Sequence, residues 1–61
     1  MEGYINNPTT IEEFAHNAKF QCDNVSSWIY LKKYDNAMIK AKCLIEALEL
    51  LLKQQEHEKV N

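Results

Sequence analysis

Apolar residues recur at intervals of three and four over the first half of the chain: Ile11, Phe14, Ala15, Ala18, Cys22, Val25, Trp28 and Ile29. That spacing is one face of an α-helix. Glu13, His16, Asn17, Asp23, Asn24 and Ser27 fall away from its centre, and Phe20 and Leu31 point to the opposite side. Upstream, Asn7-Pro8-Thr9-Thr10 reads as a helix start. Thr9-x-x-Glu12 and Thr10-x-x-Glu13 both fit a capping box, in which a hydroxyl and a carboxylate satisfy orphan amides. Alternatively Asn7 caps the helix and Pro8 is its first residue. The pattern predicts a first helix over about 9–31.

The second half carries a longer pattern. Ala37 to Gln55 contains no Gly or Pro. Its main stripe is Ala37, Met38, Ala41, Leu44, Ile45, Leu48, Leu51 and Leu52, with a nearly heptad core of Met38, Ala41, Ile45, Leu48 and Leu52. Ile39, Cys43, Ala47 and Leu50 form a second ridge on the other side. Lys32-Lys33-Tyr34 is the connection, Asp35 or Asn36 suits the next N-cap, and the second helix is predicted over about 36–58.

A link this short makes the helices antiparallel neighbours. The expected fold is therefore all-α: an antiparallel two-helix hairpin spanning 9–61 as a single domain, preceded by a flexible arm, 1–8. In this reading the heptad core of the second helix packs on the stripe of the first. The backs of the helices are left with Phe20, Leu31, Ile39, Cys43, Ala47 and Leu50, which are assigned to an oligomer or partner interface. Leaving a Leu or Phe exposed forgoes about 1.5–3 kcal/mol each, so the hairpin is expected to dimerise into a four-helix bundle.

Length sharpens that expectation. A domain of 61 residues buries only about 60% of the surface its unfolded chain exposes and is marginal without help. Its 46% hydrophobic and 26% charged residues place it among globular rather than disordered chains. The N-terminus is polar and no aliphatic run is longer than Leu50-Leu51-Leu52, which predicts a soluble, cytoplasmic protein with reduced cysteines. Net charge is −2 and every basic residue is Lys. The absence of Arg counts against sequence-specific DNA reading. In a hairpin, Glu2, Glu12, Glu13, Glu56 and Glu58 gather at the open end with Lys53 and Lys59. Lys32, Lys33, Lys40 and Lys42 gather at the turn with Asp35. The lysines are the candidate contacts for nucleic acid or an acidic partner.

Candidate chemistry is sparse. His16, Cys22, Cys43 and His57 are zinc-ligand types without zinc-site spacing, so no metal or cofactor is expected. Cys22 and Cys43 fall on different faces, which disfavours a disulfide. The segment His16-Asn17-Ala18-Lys19-Phe20 resembles the H-x-x-K-G signature of histidine phosphotransfer domains, which implies an exposed phosphoacceptor His16 assisted by Lys19. Phe20 stands where that family has Gly. Tyr34-x-x-Ala37 resembles the start of the second helix of a tetratricopeptide repeat, but Val25 and Gln21 replace its Gly and Trp, and the likeness reduces to a shared hairpin packing. No Ser-His-Asp set, Gly-rich loop or acidic pair is present to make an enzyme.

The expected function is a small non-enzymatic protein–protein interaction module. It would be a bacterial, phage or plasmid regulator that binds itself and a larger host protein, such as a transcriptional repressor or a signalling protein. One alternative is a dimeric nucleic-acid-binding regulator, similar in architecture alone to the Rop family of plasmid copy-number regulators and using the lysine-rich turn. Another is a structural or assembly subunit.

Overall fold

The computed structural model describes residues 3–60, with the side chains of Lys59 and Val60 outside the description. Glu2 and the Lys59 side chain, which the sequence places at the open end of the hairpin, therefore lie outside the described residues. Two helices pack against each other, α1 (Ile11–Tyr30) and α2 (Tyr34–Val60), and the described residues contain no strand.

Of the two capping boxes the sequence offers, the second forms. Thr10 is the N-cap of α1; its hydroxyl accepts from the Glu13 amide at 3.2 Å. The Glu13 carboxylate accepts in return from the Thr10 amide at 3.4 Å and from the Thr9 amide at 2.8 Å. Those amide donors hold the Glu13 carboxyl below its ordinary value, Thr9 contributing most. Thr9 thus assists Glu13 instead of pairing with Glu12.

The turn is compact because α1 ends in a Schellman motif. The Lys33 amide donates to the Trp28 carbonyl and the Lys32 amide to the Ile29 carbonyl, both at 2.9 Å. This geometry needs a left-handed residue, and Lys32 supplies it at φ 62°, where Gly would be unstrained. The second helix begins two residues earlier than the sequence suggests. Asp35 and Asn36 lie inside its first turn, and the carboxylate of Asp35 favours the positive helix end there.

The packing between helices departs from the expected stripe on both sides. Toward α1, the second helix presents Ala37, Leu44, Ala47 and Leu51, with Ala37 and Ala47 buried and Leu44 and Leu51 half-buried. Met38, Ile45, Leu48 and Leu52, expected to point inward, are 60%, 57%, 42% and 57% exposed. On α1 the buried residues are Asn17, Ala18 and Gln21, while Ala15, Cys22 and Ile29 are exposed. Cys22 is thus a surface residue, not the small core residue its place in the stripe suggests. Volume explains the rotation. Phe14, Gln21 and Trp28, a heptad apart, line the side of α1 toward α2, and the small Ala37 and Ala47 leave room for them. Leucines and isoleucine at those positions would hold the helices apart.

The result is a molecule 44 × 21 × 14 Å, one helix thick in its shortest dimension. Among the described residues the buried apolar positions are three alanines, Ala18, Ala37 and Ala47, at 6%, 7% and 8% exposure, and no large side chain falls below 2%.

Candidate functional site

The hairpin has two broad faces. The first carries the arm. Residues 3–10 run back over α1, where Asn17, only 3% exposed, holds them. The Asn17 Nδ2 donates to the Ile5 carbonyl at 2.9 Å, and its Oδ1 accepts from the Ile5 amide at 2.8 Å. One side chain therefore satisfies both backbone groups of Ile5, as a neighbouring strand would. On the preceding residue, the His16 ring places Nε2 at 2.7 Å from the Gly3 carbonyl; since the carbonyl can only accept, Nε2 is the nitrogen that donates. Tyr4 tilts over Phe20, ring centroids 6.2 Å apart. Between arm and helices lies a groove of about 280 Å³, lined chiefly by Tyr4, Pro8, Phe14, Asn17, Ala47 and Leu50.

The second face lies opposite the arm and is bare. On α1 the heptad series Ile11, Ala15, Ala18, Cys22, Val25 and Ile29 runs along its edge. On α2 the series Met38, Ala41, Ile45, Leu48 and Leu52 does the same. Because the helices are antiparallel, both series fall on the same side of the hairpin. Phe14 and Asn17 of α1 share the arm-side groove with Ala47 and Leu50 of α2. The exposed members of the α1 row are Ala15, Cys22 and Ile29 and those of the α2 row are Met38, Ile45, Leu48 and Leu52, while Ala18 is buried and Ile11, Val25 and Ala41 are half-buried.

The residues assigned from sequence to one interface are distributed differently. Phe20 is half-buried beneath Tyr4, Ala47 is buried at the floor of the groove, and Cys43 is half-buried. Leu50 rims the groove. Ile39 and Leu31 are exposed, Leu31 as the C-cap of α1. The lysines also separate. Lys32 and Lys33 line a shallow hollow at the turn with Tyr34, Asp35 and Asn36. Lys40 is half-buried toward α1, and Lys42, two residues on, is exposed on the opposite side of α2.

Little chemistry is concentrated anywhere. Both cysteines are free thiols, and no three His, Cys, Asp or Glu side chains come together as a metal site among the described residues. The His16 Nε2 is taken up by the Gly3 carbonyl, and Lys19 pairs with Asp23 at 3.3 Å, so the two are not gathered around a common anion. Gln21 Oε1 is buried without a hydrogen-bond partner between the helices. No helix among the described residues is long and apolar enough to cross a membrane.

Asn17 and Gln21 are the residues sequence reasoning missed. Their polarity placed them off the apolar stripe. Asn17 does fall one heptad before Asn24 and four residues before Gln21, a polar row that could have signalled contact with backbone. No protein-family model matches the chain, and neither a curated protein nor a solved structure is significantly similar to it.

Proposed function

We propose that the protein is a small non-enzymatic interaction module, a regulator that acts by docking its helices on other proteins. Its bundle-forming face completes a four-helix layer, and its arm-bearing face meets a larger host protein. The observation that supports this most is the bare heptad face. Met38, Ile45, Leu48 and Leu52 lie exposed along one side of α2 beside Cys22 and Ile29 of α1. Isolated exposed apolar residues are ordinary; two parallel heptad rows on one side of a thin hairpin are the pattern of an unfilled helix–helix interface. The separation of Lys40 from Lys42 favours a protein partner over nucleic acid, because the lysines among the described residues form no continuous basic track for a phosphate backbone.

The test is capture of binding partners by the full chain from its native cell, with Ile45→Asp and Leu50→Asp variants run beside it. One stoichiometric protein, lost with at least one variant, is the expected result. Co-purifying nucleic acid that elutes steeply with salt, and no protein, would replace this reading with the nucleic-acid one.

A further inference from the structure

Resting on the interaction-module reading, we infer that the occupant of the bare heptad face is a second copy of this chain, and that the arm-bearing faces are left pointing outward. Three observations converge on a second copy rather than an unrelated helix.

The first is area. A compact protein of 7.2 kDa exposes about 4,100 Å², whereas this hairpin exposes 4899 Å². The surplus, about 800 Å², matches what each partner buries in a standard protein–protein interface. It is the surplus of a molecule one helix thick, 14 Å in its shortest extent, and domains need two packed layers. A single docked helix would rest in the groove between the two rows; a second hairpin of the same dimensions also covers their outer flanks.

The second is volume. On this face the exposed members of the α1 row include the small Ala15 and Cys22, and those of the α2 row are the large Met38, Ile45, Leu48 and Leu52. A two-fold axis in the plane of the face and parallel to the helices sets the α1 row of each copy, with its small side chains, against the α2 row of the other. The face is complementary to itself, which an isologous dimer requires.

The third is the distribution of polar groups. The exposed charges Lys42, Glu49 and Glu56 follow one another at heptad intervals along the outer flank of the α2 row. Polar flanks bordering an apolar seam are what a bundle interface leaves at its rim. The opposite face already has a cover, the arm clasped by Asn17, and its groove rim is polar with Asn6, Asn7 and Thr9.

Sedimentation equilibrium of the full chain at micromolar concentration tests the inference, with Ile45→Asp against Leu50→Asp and helicity followed by circular dichroism. The expected result is a species of twice the chain mass. Ile45→Asp should weaken association on the order of 100-fold or more, since it buries two carboxylates in the seam, while Leu50→Asp leaves it within about threefold. If Ile45→Asp does not fold, the unmodified chain still decides, because a dimer's melting temperature must rise with protein concentration and a monomer's does not. A folded monomer with a concentration-independent melting temperature overturns the second copy. So does a dimer broken by Leu50→Asp and untouched by Ile45→Asp. A monomer that still captures a host protein, and loses it on Ile45→Asp, overturns this inference alone and leaves the interaction module standing. A dimer that captures nothing leaves this inference standing and removes the host partner.

Discussion

The two faces of the hairpin are built from the same two helices and have opposite fates. On one, the chain folds back on itself: Asn17 grips Ile5 by both backbone groups, Tyr4 leans on Phe20, and Ala47 is sealed at 8% exposure. On the other, Met38, Ile45, Leu48 and Leu52 are all more than 40% exposed. The difference teaches where a very short chain spends its few spare residues. An arm of about eight residues can cover one flank by hydrogen bonding, but it cannot bury two heptad rows some 20–27 Å long. The polar clasp covers the arm face from within the chain. The apolar rows leave the other face exposed, the surface on which we infer a second copy.

Substitutions can break this contrast, and the largest effect is expected on the bare face. Leu48→Ala should cost about 2–5 kcal/mol per chain if a second copy buries it, read by chemical denaturation at fixed concentration. Leu50→Ala, on the arm side and already at the surface, should stay within about 0.5–1 kcal/mol. Equal costs would erase the distinction between the faces.

The clasp comes next. Asn17→Ala leaves the Ile5 amide and carbonyl without their partner, and should destabilise the protein by about 1–3 kcal/mol. Limited proteolysis should then cut within the arm well before either helix. An arm as resistant as in the unmodified chain would mean that Tyr4 and Phe20 suffice to hold it.

Smaller effects sharpen the helix ends. Thr10→Ala removes the N-cap and should cost about 0.5–2 kcal/mol. Lys32→Gly relieves the left-handed residue at φ 62° and should gain up to about 1 kcal/mol, seen as a higher melting temperature. An unchanged or lower one would show that the Lys32 side chain is itself held at the turn.

The smallest effect is a pH dependence at Glu13. Its carboxyl is held below the ordinary value of 4.5 by the Thr9 and Thr10 amides. A depressed folded-state value means the stabilisation is complete above pH 4.5 and is lost as pH falls through the lower, folded value. Helix content followed from pH 6 down to pH 2 should therefore drop less steeply in Glu13→Gln. Identical curves would show that the capping box contributes no pH-dependent stability.

Much of the fold was legible from spacing alone. The interval pattern located both helices, Thr10-x-x-Glu13 marked the first N-terminus, and the short Lys-rich link implied a hairpin. The Schellman turn was not legible, because Lys32 stands where the motif usually declares itself by Gly. Which edge of each stripe turns inward was also hidden. Both stripes are broad enough to hold two seams, and the choice between them rests on fit between distant residues: Phe14 and Trp28 on one helix, Ala37 and Ala47 on the other. The clasp was hidden for a related reason. Asn17 reads as surface until the arm is seen to pass over it, and nothing local to Ile5 announces that its backbone needs a side-chain partner. The idea of an uncovered apolar ridge therefore came from the sequence, and its location came from the structure.

Cys22 offers the most direct test of that location, because it lies exposed on the bare face while Cys43, one heptad before Leu50, is half-buried on the arm side of α2. The measurement is the rate of thiol modification at each cysteine, resolved by peptide mass spectrometry, over protein concentrations from nanomolar to about 100 micromolar. If two copies close over the heptad face, modification of Cys22 slows steeply as concentration rises, and that of Cys43 stays constant. A Cys22 rate that is the same at every concentration, in a chain that remains helical throughout, would contradict the account.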